Sequence, residues 1–219
     1  MSNIKLSTII TEMLLEGIPE LESKRIHLSR NEIKKIDDPI WDTKGRISSK
    51  PVTGLFYAMG DVWVDYLSTY PEELYSRKHI YEVVLKPSAR ILAPKTQQEY
   101  INITFKYPSK GWSFKGEFTP SNFVGNNIGS LVPDYEKMSK DYDGIEIFDV
   151  GGKSPTEISY TEEYPINWPD EYHPPHGVVW NNNVATLVPI NLNSQHFDTA
   201  VAKKEKLKKE HPEWFGDAN

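Results

Sequence analysis

Four kinds of residue grouping in this chain could do chemistry, and each makes its own demand on geometry. His173-Pro174-Pro175-His176 sets two imidazoles close together, with Asp170 and Glu171 just before them. A zinc site would need rigid ligands and a third protein donor. The two prolines instead force extended backbone, where side chains at i and i+3 point to opposite faces. That stretch reads as a surface loop, and no metal is expected. Acidic residues crowd 134–149 and 161–171, enough for some pair to arise by chance. Glycoside cleavage needs two carboxyls at a defined separation, which the sequence does not fix; a metal-independent glycosidase or nuclease is the weakest reading. No serine sits in a G-x-S-x-G elbow. Gly-rich phosphate loops of the G-x-G-x-x-G or G-x-x-x-x-G-K type are missing, and the absence of cysteine excludes thiolate catalysis and disulfides. What remains is a distributed set: His27 and Ser29 in KRIHLSR, Tyr57 in GLFYA, and Glu146 in YDGIEI.

Short elements must position that set, and most of them read as strands. KRIHLSR alternates, so Ile26 and Leu28 take one face and Arg25, His27 and Ser29 the other. Lys50-Pro51 sets an extended lead-in, because the residue before proline is pushed out of the helical region. Gly54–Ala58 is long enough for one buried strand; Met59-Gly60-Asp61 turns, and Val62–Leu67 opens a helix anchored by Trp63. A strand that ends in a small-residue turn before a helix leaves its last side chains beside a cleft. Tyr70-Pro71-Glu72-Glu73 starts a helical turn with acids at its positive end. HIYEVVL at 79–85 is a strand, and YINITF at 100–105 reads as another. Residues 105–135 read as hairpins or a long ordered loop, with Pro133-Asp134 capping a short helix. Asp143–Val150 is the strand that carries Glu146, and 153–177 an acidic, proline-rich insertion. Val178–Trp180 and Val184–Ile190, on either side of Asn181-Asn182-Asn183, suggest a final hairpin or bent strand pair.

The ends and the composition bound the rest. Residues 1–17 read as an amphipathic helix or a removable leader, 18–192 as one α+β domain, and 193–219 as a charged helix with Phe197, Val201 and Leu207 on its apolar face. A net charge of −6 gives no global basic field to recruit nucleic acid. No apolar run approaches the roughly 20 residues a membrane span needs. Glu12 and Glu16 break the apolar start, so it does not read as a signal peptide, and a cytoplasmic location is expected.

Three motifs together carry a family resemblance: RIHLSR, then KPVTGLFYAMGDVW, then YDGIEI followed by VVWNNN. They resemble the ADP-ribosyltransferase fold, in particular its small phage-encoded and toxin-like members, over residues 24–190. The resemblance implies an α+β fold of two packed, mainly antiparallel sheets around a cleft, with peripheral helices. NAD is the implied substrate. Arg25, His27 and Ser29 on the early strand would contact it, with Arg25 or Arg30 against the pyrophosphate. Tyr57 would pack on the nicotinamide, Trp63 would border the same pocket, and Glu146 would be the catalytic acid. The implied activity is mono-ADP-ribosyl transfer to a host protein or nucleic acid in the host cytoplasm. Leu14-Leu15-Glu16 before Gly17 resembles the (Leu/Ile)-x-Glu cleavage sites of tailed-phage prohead proteases, which implies packaging into the virion through the leader. Two departures stand beside this. The middle motif lacks Ser-Thr-Ser, and VVW stands where Glu-x-Glu or Gln-x-Glu would fall. The alternative is therefore a virion or host-interacting binding protein that keeps the fold without chemistry. Each residue also has a plain structural reading: His27 and Glu146 as strand-surface groups, Tyr57 and Trp63 as core aromatics.

Overall fold

A computed structural model describes residues 18–36, 51, 54–108, 132–149, 153, 168–172, 174–192 and 194–212. Among them the chain is α+β, with seven strands, five α-helices and three short 3-10 turns. One strand pair is parallel and the other registered pairs are antiparallel. Residues 1–17, expected as a leader or helix, lie outside the described residues. The chain divides into two compact units: Met1–Glu32, Ala58–Val83 and Leu187–Asn219 form the first, and Ile33–Tyr57 with Val84–Thr186 the second.

The first unit centres on β1 (Arg25–Ser29), whose alternation follows the sequence: Ile26 and Leu28 are buried, and Arg25, His27 and Ser29 half-buried. β1 pairs antiparallel with the end of β2 (Leu55–Met59), Ile26 opposite Ala58, and with β3 (His79–Leu85), His27 opposite Tyr81. After β2, Gly60 turns the chain at φ +60°, a left-handed backbone that costs glycine little, and its N–H donates to the Lys24 carbonyl at 2.8 Å. The turn feeds α1 (Val62–Ser68) and α2 (Pro71–Ser76), the latter with proline in its first turn, where no N–H is missed. α5 (Ser194–Glu210) buries Phe197 and Leu207. Leu21, Ile26, Leu28, Val64, Leu74, Ile80 and Phe197 form the core of this unit.

The second unit pairs the first residues of β2 with β6 (His176–Val179), β6 with β5 (Gly144–Ile147), and β5 in parallel with β4 (Ile91–Leu92). Phe56, Ile145, Ile147 and Val178 turn one face toward an aromatic core that includes Tyr100, Tyr107, Tyr135, Trp168, Tyr172 and Trp180. Two elements differ from expectation. YINITF is not a strand but part of α3 (Gln97–Lys106). Thr96 and Glu99 close a capping box at its start, and Tyr100, Ile103, Thr104 and Tyr107 then fall on one helical stripe. The final hairpin is not formed either. Both edges of β6 are taken, by β2 and β5, while β7 (Ala185–Pro189) lies beside β3. The three asparagines between them make a 3-10 turn, with Asn181 Oδ1 accepting from the Asn183 N–H at 3.1 Å. α4 (Tyr135–Met138) is short and capped by Asp134, as the Pro-Asp pair suggests.

Candidate functional site

In the second unit Tyr57, Gly177 and Glu146 stand in one row across three strands: Tyr57 opposite Gly177, and Gly177 opposite Glu146. Neighbouring strands lie about 4.8 Å apart, so the outer two main chains are about 10 Å apart. Two long side chains can close that gap only by leaning over the strand between them. Gly177 allows it. A Cβ at Gly177 would lie 2.7 Å from two carbons of the Tyr57 ring and 2.9 Å from its hydroxyl. Tyr57 therefore lies across the glycine and donates to Glu146 Oε1 at 2.9 Å. The tyrosine is wholly buried and the glutamate half-buried. The strands alternate, so this row faces away from the aromatic core.

Just before Glu146 the strand is fixed by a second carboxylate. Asp143 accepts from the Arg90 backbone N–H at 2.9 Å, from Arg90 Nε at 3.3 Å and from Asn181 Nδ2 at 2.7 Å. Its backbone carbonyl accepts from the Trp180 and Asn181 N–H groups. Burial pushes the Asp143 carboxyl up, but the hydrogen bonds from Arg90 and Asn181 outweigh it and hold the group below the ordinary carboxylate range. Asp143 thus clamps the start of β5 to β4 and to the end of β6, which sets the register that puts Glu146 opposite Gly177.

The residues singled out from sequence divide between the two units. Tyr57 and Glu146 are brought together in the second. Arg25, His27, Ser29 and Trp63 belong to the first. There His27 sits beside Tyr81 with ring centroids 6.5 Å apart, and Ser29 Oγ donates to the Asn31 carbonyl at 2.7 Å. Arg30 is committed to the Glu73 carboxylate. Trp63 packs against the aliphatic core, edge-on to Tyr66 at 6.3 Å.

The His-Pro-Pro-His stretch also differs from the surface loop expected. His173 lies outside the described residues, whereas His176 is 2% exposed. Its ring stacks on Tyr172 at 4.7 Å, and Nδ1 lies 2.8 Å from the Pro174 carbonyl, so Nδ1 carries the donated hydrogen. As the first residue of β6, opposite Ile147, it joins the core face. Among the described residues no group of three or more His, Asp or Glu could hold a metal ion, and no helix is long and apolar enough to cross a membrane.

Sequence reasoning passed over Gly177 and Asp143. A signal existed for the first: glycine weakens a strand unless another group must come close, and HGVV is otherwise apolar after its histidine. No such signal marks Asp143, whose partners are 53 and 38 residues away.

Chemically, the row offers one carboxylate oriented by a phenol. Such a group can oppose positive charge developing on a bound molecule without first reorganising. Compared with known proteins, the chain matches no family model, no curated protein and no solved structure.

Proposed function

We infer that the chain is a NAD-dependent mono-ADP-ribosyltransferase, phage-encoded and acting on a host protein or nucleic acid, with Glu146 as its catalytic acid. The observation that carries the reading is the 2.9 Å bond from Tyr57 to Glu146 across Gly177. It gives the half-buried carboxylate a fixed orientation on a strand, as the late-strand glutamate of the resemblance requires. In the reaction the bond from ribose C1′ to nicotinamide breaks and the pair of electrons leaves with the nicotinamide. The ribose centre becomes oxocarbenium-like, and the Glu146 carboxylate opposes its charge. An acceptor nucleophile then bonds to C1′ and gives up its proton to solvent. Tyr57 has a different part here from nicotinamide stacking. Its ring is wholly buried against Gly177, so it orients Glu146. Arg25, His27, Ser29 and Trp63 keep the NAD-contacting parts that the resemblance gives them, within a fold of two packed sheets; residues 1–17 keep the part of a packaging leader.

The burial of Tyr57 favours one second reading, a host-interacting or virion binding protein in which the row is structural. Labelled NAD with host lysate separates the two. Transfer of label by the wild type, lost in Glu146→Gln and reduced about tenfold in Tyr57→Phe, supports the enzyme; removing one orienting hydrogen bond costs about 1 kcal/mol or a little more. Undiminished transfer by Glu146→Gln removes Glu146 from its part. No NAD binding at millimolar concentration leaves the binding protein.

A further inference from the structure

Beside α3 the second unit opens a cleft of about 200 Å³. That volume holds a single ring and its substituent, since drug-sized ligands occupy roughly 300–1,000 Å³. Leu92, Pro94 and Ile103 supply apolar walls. Tyr107 and Tyr142 add two rings set edge to face, 6.4 Å between centroids at 79°. Residues 99, 102, 103 and 106 all line it, a single stripe of the helix.

The polar groups on that stripe differ in what they can still offer. Glu99 is committed to the helix start, where Oε2 accepts from the Lys95 N–H at 2.7 Å and the Thr96 N–H at 2.9 Å. The Lys95 N–H is the main reason its carboxyl sits below the ordinary range. Asn102 Oδ1 accepts from Gln98 at 2.9 Å, while its own amide hydrogens donate to no described residue. The Lys106 ammonium lies 3.1 Å from Asp141, and 4.9 and 5.8 Å from the Tyr107 and Tyr142 ring centroids. An ammonium has three donors; the Asp141 carboxylate and the Tyr107 hydroxyl take two of them, which leaves one. The lining therefore combines apolar and aromatic walls with unspent donors. One ammonium set against the carboxylates of Glu99 and Asp141 gives an anion no net attraction.

The geometry points to a binding site for a small, neutral, flat aromatic amide. Its ring lies against Ile103 and the tyrosines, and its carbonyl accepts from Asn102 and Lys106. The site goes beyond the transferase reading and does not depend on it, since Glu146 is not among the lining residues.

Nuclear magnetic resonance of the ¹⁵N-labelled full chain tests it, with benzamide as the probe and benzoate and cyclohexanecarboxamide as its charged and non-aromatic counterparts. Benzamide is expected to shift the amides of residues 92–107 and 142 saturably, and each counterpart to bind at least about fivefold more weakly, the scale of one lost interaction of about 1 kcal/mol. Asn102→Asp turns the donor into an acceptor at an exposed position and is expected to weaken benzamide about fivefold or more. Lys106→Met is expected to do so by a smaller factor. Glu146→Gln is expected to stop label transfer while benzamide still binds, so the two readings fail separately. Shifts confined to other residues, equal binding of benzoate or cyclohexanecarboxamide, or an affinity untouched by Asn102→Asp overturns the site. So does the absence of any saturable shift at tens of millimolar benzamide.

Discussion

The cores of the two compact units are made of different material. The first packs aliphatic side chains, with Leu21, Ile26, Leu28, Val64, Leu74 and Ile80 around one Phe197. The second packs rings that carry polar tips, and most of those tips find partners. Trp168 Nε1 donates to Thr104 Oγ1 at 2.9 Å, Trp180 Nε1 to the Tyr142 carbonyl at 2.7 Å, and Tyr172 Oη to Tyr135 Oη at 3.2 Å. Aliphatic contact is non-directional and roughly proportional to area. A hydrogen bond has a direction, and a buried donor left unmade is expensive. The second core thus fixes the orientation of its rings as well as their burial. The pair of Tyr57 and Glu146 repeats that device on the opposite face of the strands, with a carboxylate as the acceptor. The lesson is that the unit with directional packing is the one equipped to hold a polar side chain still.

The largest effect should come from removing a ring whole. Trp168 is 1% exposed and stacks edge-on against Tyr100 at 5.6 Å. Trp168→Ala is expected to cost about 4 kcal/mol in urea unfolding, the range for emptying a large aromatic site. Trp168→Phe keeps most of the area but loses the bond to Thr104, and is expected to cost about 1–2 kcal/mol. If Trp168→Phe costs nothing measurable, direction counts for little and the contrast between the cores collapses.

A smaller effect belongs to Asp143, with a sign set by pH. Its carboxyl lies below the ordinary range when folded. The stabilisation is therefore present above the unfolded value of about 3.9, and is lost as pH falls through the lower folded value. At pH 7 Asp143→Asn is expected to lose about 2 kcal/mol, because an amide nitrogen would face the Arg90 donors. Below pH 4 the gap between wild type and variant should shrink. A gap that widens with acid would mean the clamp does not depend on the ionised carboxylate.

How much of this the sequence displayed depends on range. β1 and β3 were legible because a period of two in RIHLSR and HIYEVVL needs only neighbours to be read. The Asp134 cap and the Gly60 turn were legible for the same reason. α3 was misread because Ile101, Ile103 and Phe105 alternate, while the stronger signal, Thr96 three residues before Glu99, sat just upstream. The pairing of β6 was not legible, since proximity to β7 in sequence favours a hairpin and only the tertiary register gives both of its edges to other strands. Tyr57 and Glu146 could be named as candidates, but their bond spans 89 residues. The choice that makes it possible, glycine at 177, takes on meaning only once Tyr57 is known to lie across it.

Within the second unit, two equally buried tyrosines give the finest test of directional packing. Tyr57 donates to Glu146. Tyr100 is just as buried, at 0% exposure, yet its hydroxyl has no hydrogen-bond partner among the described residues, and burial pushes its ionisation well above the ordinary tyrosine value. The same substitution should therefore have opposite signs. Tyr57→Phe leaves a half-buried carboxylate without one of its donors and is expected to cost about 1 kcal/mol. Tyr100→Phe deletes a polar atom that burial has already stripped of water, with the ring contact to Trp168 unchanged, and is expected to stabilise by up to about 1 kcal/mol. Parallel urea titrations at pH 7 read both. Equal losses from the two would mean that the Tyr100 hydroxyl is satisfied in solution, and that the second core has no unmade bond to set against the one that orients Glu146.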